Sequence, residues 1–163
     1  LNAGAEFELN IKEYSKKYQN LNFDEYKLYI ETKLSKKKLS YENDVYPKFD
    51  EIYELAKKAH EKFLNRILIN SIKIKSDIFI KVNENSLMIS KNNGLDAIKT
   101  DNIDTMSKKY VRYEVDPRLL KNLFLGPRFA HWNNAEIGSH LKFFRKPNIF
   151  ERDIYNSMNY FHC

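Results

Sequence analysis

Residues 130–141, AHWNNAEIGSHL, hold two of the four histidines, the single tryptophan, two asparagines and a glutamate. His131, Glu136 and His140 are residue types that acid–base catalysis uses, because an imidazole beside a carboxylate can be held in one tautomer and exchange protons near neutrality. Two histidines can also ligate a metal. Here they stand nine residues apart with no cysteine between them, and no H-x-H or H-x-x-x-H pair supplies zinc-type spacing. No Ser or Cys nucleophile elbow and no phosphate-binding glycine loop accompanies them. A third reading is structural. Asn133 and Asn134 suit a turn, and Trp132 can close the edge of a core with its indole N–H satisfied. Glu136 can accept that N–H or pair with Arg128 or Arg145. The stretch therefore predicts a rigid corner leading into a strand at Ile137, with Trp132 more than half buried. Asn133, Asn134 and Glu136 should bond mainly to nearby backbone, and the two imidazoles should stay apart. No catalytic, cofactor-binding or metal residue is assigned; His131, Glu136 and His140 are the candidates if one exists.

The elements around this stretch follow from periodicity. Tyr26, Tyr29, Ile30 and Leu34 fall at helical spacing in residues 24–34, and a lysine run (Lys36, Lys37, Lys38) reads as the loop after them. The strongest helix starts near Pro47, with Asp44 upstream as a candidate cap. Its stripe is Phe49, Ile52, Tyr53, Ala56, Ala59, Phe63, Leu64, Ile67 and Leu68. His60, on the edge of that stripe, reads as a packed residue. Period two takes over at Ile72 and Ile74, then Ile78, Ile80 and Val82, with a turn at residues 83–85 and a return through Leu87 and Ile89. Asn92-Asn93-Gly94 reads as a second turn, and residues 95–107 show no pattern. A further strand has Val111, Tyr113 and Val115 on one face. DPRLLKNLFLG carries every helix signal: Asp116 as cap, Pro117 in the first position, Gly126 as stop. Residues 137–144 read as a strand with Ile137, Ser139, Leu141 and Phe143 on one side and His140, Lys142 and Phe144 on the other. Asn148 and Glu151 make a capping-box-like start for a last helix striped by Phe150, Ile154, Met158 and Phe161. The order predicts an α+β fold, an antiparallel sheet covered by helices on one face.

Composition narrows the class. A chain of 163 residues with 42% apolar residues can bury a real core. No apolar run reaches the roughly eighteen residues of a membrane span. The single cysteine, Cys163, allows no internal disulfide and suits a reducing, cytoplasmic compartment. The chain starts at Leu1 with no signal-peptide pattern, as a fragment or processed chain does. Its net charge of +6 is spread along the sequence, which favours solvated lysines over a specific nucleic-acid surface.

A resemblance enters at HWNNAEIGSHL, the following F-x-R-x-P and the NYFH near the end. These words, within residues 117–162, are similar to the C-terminal segment of metallo-β-lactamase-fold proteins related to CMP-N-acetylneuraminate hydroxylase, some of which carry a Rieske domain. LNAGAEFEL is similar to the strand that closes the metallo-β-lactamase domain, with Ala-Gly-Ala in place of its Pro-Gly-Asp turn. The family's His-x-His-x-Asp-His signature and any Rieske Cys/His pair are missing from this sequence. The layout of residues 110–126, then a strand and a final helix, also resembles the sterol-carrier-like fold. The resemblance implies residues 1–40 as a linker or the end of a preceding domain, and 41–163 as a non-catalytic C-terminal accessory domain. Such a domain would shape a substrate pocket or mediate dimerisation. Zinc or iron is then expected only in an upstream catalytic domain, which would be the main partner, with a homodimer and a small-molecule substrate as further possibilities. Two other readings stay open: a stand-alone module with an apolar cavity for a lipid-like ligand, and a small enzyme using His131, Glu136 and His140.

Overall fold

The computed structural model describes residues 6–8, 13–16, 22–90, 92, 94–99 and 103–163. The chain divides into two units, residues 1–39 and 40–163. In the first, β1 (Glu6–Glu8) pairs antiparallel with β2 (Glu13–Lys16). Most of the LNAGAEFEL stretch lies outside the described residues. Helix α1 (Phe23–Thr32) starts at Asn22, whose side chain accepts the backbone N–H groups of Asp24 and Glu25. That is the ordinary way to satisfy two of the donors a helix start leaves open.

The second unit is α+β, as the periodicity predicts. Helix α2 (Phe49–Ile69) turns Ile52, Ala56, Ala59, Phe63 and Ile67 inward. Leu68 does not join them and is 70% exposed. The helix also starts differently from expectation. Pro47 lies before the first turn, Lys48 occupies the cap position without a side-chain bond, and Asp44 instead accepts Asn122 Nδ2 at 2.9 Å. Residues 70–76, expected to alternate as a strand, form none. Ser71 takes a left-handed φ of 51°, and the Lys75 N–H donates to Glu151, so this backbone is tied to a side chain and not to a neighbouring strand.

The sheet has five strands in the order β5-β4-β3-β6-β7. Strands β3 (Asp77–Val82) and β4 (Asn85–Ile89) form a hairpin whose turn places Asn83 at φ 57°, a conformation that asparagine tolerates well. β5 (Leu95–Lys99) adds to β4, although residues 95–107 carried no readable pattern. The expected second turn includes Asn93, outside the described residues. Helix α3 (Ile103–Met106) precedes β6 (Tyr110–Glu114), which lies parallel to β3. The sheet is thus mixed, not antiparallel throughout, because β6 pairs with β3 at the far side from the β4–β5 hairpin. β7 (Lys142–Lys146) closes the edge antiparallel to β6.

Helix α4 (Pro117–Leu125) follows the sequence signals closely. Asp116 Oδ1 accepts Arg118 N–H at 2.9 Å, Pro117 opens the helix, and Gly126 stops it at φ 105°. Two short helices complete the unit, α5 (Trp132–Ile137) and α6 (Arg152–Met158). Glu151 precedes α6 without capping it; its carboxylate accepts Ser76 Oγ at 2.7 Å and lies 3.6 Å from Lys109 Nζ. Of the predicted last stripe, Ile154, Met158 and Phe161 are buried, while Phe150 is 61% exposed. The main core joins α2, α4, α5 and α6 to one face of the sheet. Its largest enclosed side chains include Phe63, Tyr113, Phe124 and Phe161. Phe79, Ile103 and Tyr110 make a second, small core on the opposite face.

Candidate functional site

Residues 130–141 are a corner, built differently from the sequence expectation. Trp132 to Ile137 form the single turn and a half of α5, and the strand begins only at Lys142. Ile137, expected to face inward, is 83% exposed. Gly138 and Ser139 reverse the chain, Ser139 with a φ of 57°, and His140 N–H closes the turn on Ala135 O at 2.9 Å. A Cβ at Gly138 would stand 2.8 Å from His140 Cδ2 and 3.0 Å from Asn134 O, so a side chain here would push the His140 ring and the Asn134 carbonyl aside. The burial of Trp132 is as expected, at 4% exposure. Its indole N–H donates not to Glu136 but to Phe161 O, at 3.0 Å, which ties the corner to the end of the chain segment after α6.

The cap on α5 is His131, whose Nδ1 accepts Asn133 N–H at 3.3 Å. That bond assigns the ring proton to Nε2. Among the described residues the side chains of Asn133, Asn134 and Glu136 make no hydrogen bond, contrary to the expectation that they would fix the loop. Backbone bonds within the corner and the indole do so instead. His140 sits elsewhere: its Nδ1 lies 3.4 Å from the Tyr41 hydroxyl and its ring meets Tyr41 edge-on. Glu136 belongs to a third setting. Burial pushes its carboxyl up, and Arg145 partly opposes this. Arg145 Nε donates to the Tyr155 hydroxyl at 2.7 Å. The fully buried Tyr113 hydroxyl has no partner, and burial raises its pKa well above the usual tyrosine value. Histidine, glutamate and histidine therefore have three different sets of neighbours. His60 is packed, as its place on the stripe implied, against the rings of Phe63 and Phe161, which also touch each other.

A second arrangement was not legible in the sequence. An open cleft of about 740 Å³ lies where α2, the start of α5 and the end of α6 come together. Lys62 and Arg66, one turn apart on α2, line it with His131 and His162. Asn70, Asn133, Asn156 and Asn159 supply amides, and no carboxylate lines it. Lys62 Nζ lies 3.1 Å from His162 Nδ1 and 3.4 Å from Cys163 O. The Arg66 guanidinium sits over the Tyr160 ring, 5.6 Å from its centre. A sequence signal did exist: Lys62 and Arg66 stand at i, i+4 beside the apolar stripe. What it lacked was the partner surface, which comes from residues some seventy to one hundred positions later in the chain.

Among the described residues no group of three or more His, Cys, Asp or Glu side chains is placed to hold a metal ion. No described helix is long and apolar enough to cross a membrane. Comparison with protein-family models, with curated proteins and with solved structures finds no match to this chain.

Proposed function

We propose that residues 41–163 act as a non-catalytic accessory domain of a metallo-β-lactamase-fold, metal-dependent enzyme, packing against the catalytic domain and shaping its substrate pocket or its dimer. The observation that carries this reading is the use of the AHWNNAEIGSHL residues. His131 caps a helix, Trp132 anchors a carbonyl, His140 packs on Tyr41, and Glu136 lies near Arg145. Catalysis needs its groups within reach of one reacting atom, and these residues serve the corner. The words that resemble the enzyme family are thus the words that build a structural joint, which suits a domain whose task is to hold shape.

The lipid-binding reading has less support. The layer between helices and sheet, where an apolar cavity would open, is filled by Phe63, Tyr113, Phe124, Trp132 and Phe161.

Metal analysis and assay of the purified chain, alone and joined to the domain encoded upstream of Leu1, test the proposal. Alone, the chain should retain no stoichiometric zinc or iron after dialysis and should hydrolyse nothing in a metal-dependent way. The joined protein should carry the metal, and His131→Ala with His140→Ala should leave its chemical step intact. Turnover by the isolated chain that this double variant abolishes would overturn the proposal, as would an upstream sequence without a metal-binding histidine cluster.

A further inference from the structure

We propose that the cleft between α2 and the end of α6 binds the phosphate group of a small phosphorylated molecule. The inference is independent of the accessory-domain reading, since it rests on the cleft alone. Arg66 offers a planar fork of N–H donors, which matches two oxygens of a phosphate at once. Lys62, one turn earlier on the same helix, adds an ammonium. Among the described residues neither pairs with an Asp or Glu, and an incoming anion takes over the contacts that Lys62 Nζ makes with His162 Nδ1 at 3.1 Å and Cys163 O at 3.4 Å. With its Nδ1 occupied by Asn133 N–H, His131 has Nε2–H left as a donor. A guanidinium, an ammonium and an imidazole N–H are more donors than a carboxylate's two oxygens need, and they suit the three terminal oxygens of a phosphomonoester.

The remaining wall indicates an organic part. At about 740 Å³ the cleft falls within the size range of small-molecule sites and far exceeds one phosphate. Asn133 and Asn156 line it, both exposed, and neither side chain makes a hydrogen bond among the described residues. Amides in that position offer both a donor and an acceptor to a ligand hydroxyl. Tyr160, Ile72 and Pro127 supply the apolar side. The expected ligand is therefore a phosphorylated molecule bearing hydroxyls, with the phosphate toward Arg66 and a hydroxyl toward Asn133 and Asn156.

The test uses the whole 163-residue chain at constant ionic strength, with inorganic phosphate and glucose 6-phosphate as probes, followed by backbone amide shifts and by the thermal midpoint. Both should bind saturably, glucose 6-phosphate more tightly, with the largest shifts in residues 62–70 and 156–162. Arg66→Gln should weaken both probes by roughly tenfold or more, the equivalent of one lost charge-assisted bond. Arg66 is exposed, so this variant should keep the wild-type midpoint without ligand. Asn133→Ala with Asn156→Ala should weaken glucose 6-phosphate and leave inorganic phosphate unchanged. Lys57→Gln, on the same helix but paired with Glu54, should change neither. The proposal is overturned by a response that does not saturate, or by one that chloride reproduces or Lys57→Gln also abolishes. It is overturned equally if a single-stranded oligonucleotide or phosphatidic-acid vesicles bind through Arg66 while both soluble phosphates do not.

Discussion

The two faces of the sheet are held by different physics. On one face Ile78, Ile80, Leu87, Ile89, Val111 and Tyr113 are sealed under α2, α4, α5 and α6, and almost every side chain there is apolar or aromatic. On the other, among the described residues, the buried apolar side chains that pack together are Phe79, Tyr110 and Ile103, beside a field of charges. There Arg112 lies 4.2 Å above the Phe144 ring and 3.2 Å from Glu114, Lys81 also reaches Glu114, and Lys146 bonds Asp104 at 2.8 Å. Apolar area removed from water dominates stability, whereas ion pairs open to solvent add little. The difference teaches that the helix-covered face carries the fold and that the charged face is free to vary or to meet water.

The sharpest test of that contrast is Trp132→Ala. It removes a nearly enclosed indole from the helix-covered face and leaves Phe161 O without its donor, so denaturant midpoints should show a loss of about 3–5 kcal/mol. A loss below about 1 kcal/mol would erase the distinction between the faces. Ile103→Ala comes next. It empties the middle of the small core, but α3 is a single turn with Met106 47% exposed beside it. That neighbourhood can relax, so the cost should sit near the low end for such a change, about 2 kcal/mol. A cost equal to that of Trp132→Ala would mean that the charged face is as important as the covered one.

Ser107→Ala probes the rim of the second face, where Ser107 Oγ donates to Asp77 Oδ2 at 2.6 Å. Losing a buried bond to a charged acceptor should cost about 1–3 kcal/mol in the same unfolding measurement. The smallest effect concerns pH and returns to the covered face. Burial holds the His60 imidazole below the ordinary histidine value of 6.5, with Glu61 pulling weakly upward. The folded state then binds this proton less well than the unfolded chain does. The related stability is present above pH 6.5 and declines as pH falls through the lowered folded value. His60→Leu should flatten that acid-side slope, read as the change in midpoint between neutral and mildly acid buffer, and leave the neutral midpoint nearly unaltered. An unchanged slope would place the acid sensitivity in some other group.

How far the sequence was legible differed from element to element. α4 could be read whole, since Asp116, Pro117 and Gly126 act on backbone within a few residues and need no distant partner. α5 could not. The histidine that caps it and the glycine that ends it are ambiguous residues, and the run from Ile137 to Phe143 imitates a strand. β5 was invisible because its partner β4, more than its own pattern, draws it into the sheet. The parallel pairing of β6 with β3 likewise leaves no local mark.

The amino-acid sequence by itself determined the fold class, the inward stripe of α2, the caps of α4 and the burial of Trp132, because each depends on periodicity or on side chains meeting their own backbone. Only the tertiary structure decided that His131, Glu136 and His140 part company, and that Lys62 and Arg66 share a cleft with His162. These outcomes depend on which distant segments pack together, and that choice is made by the summed burial of the whole core, not by any local pattern.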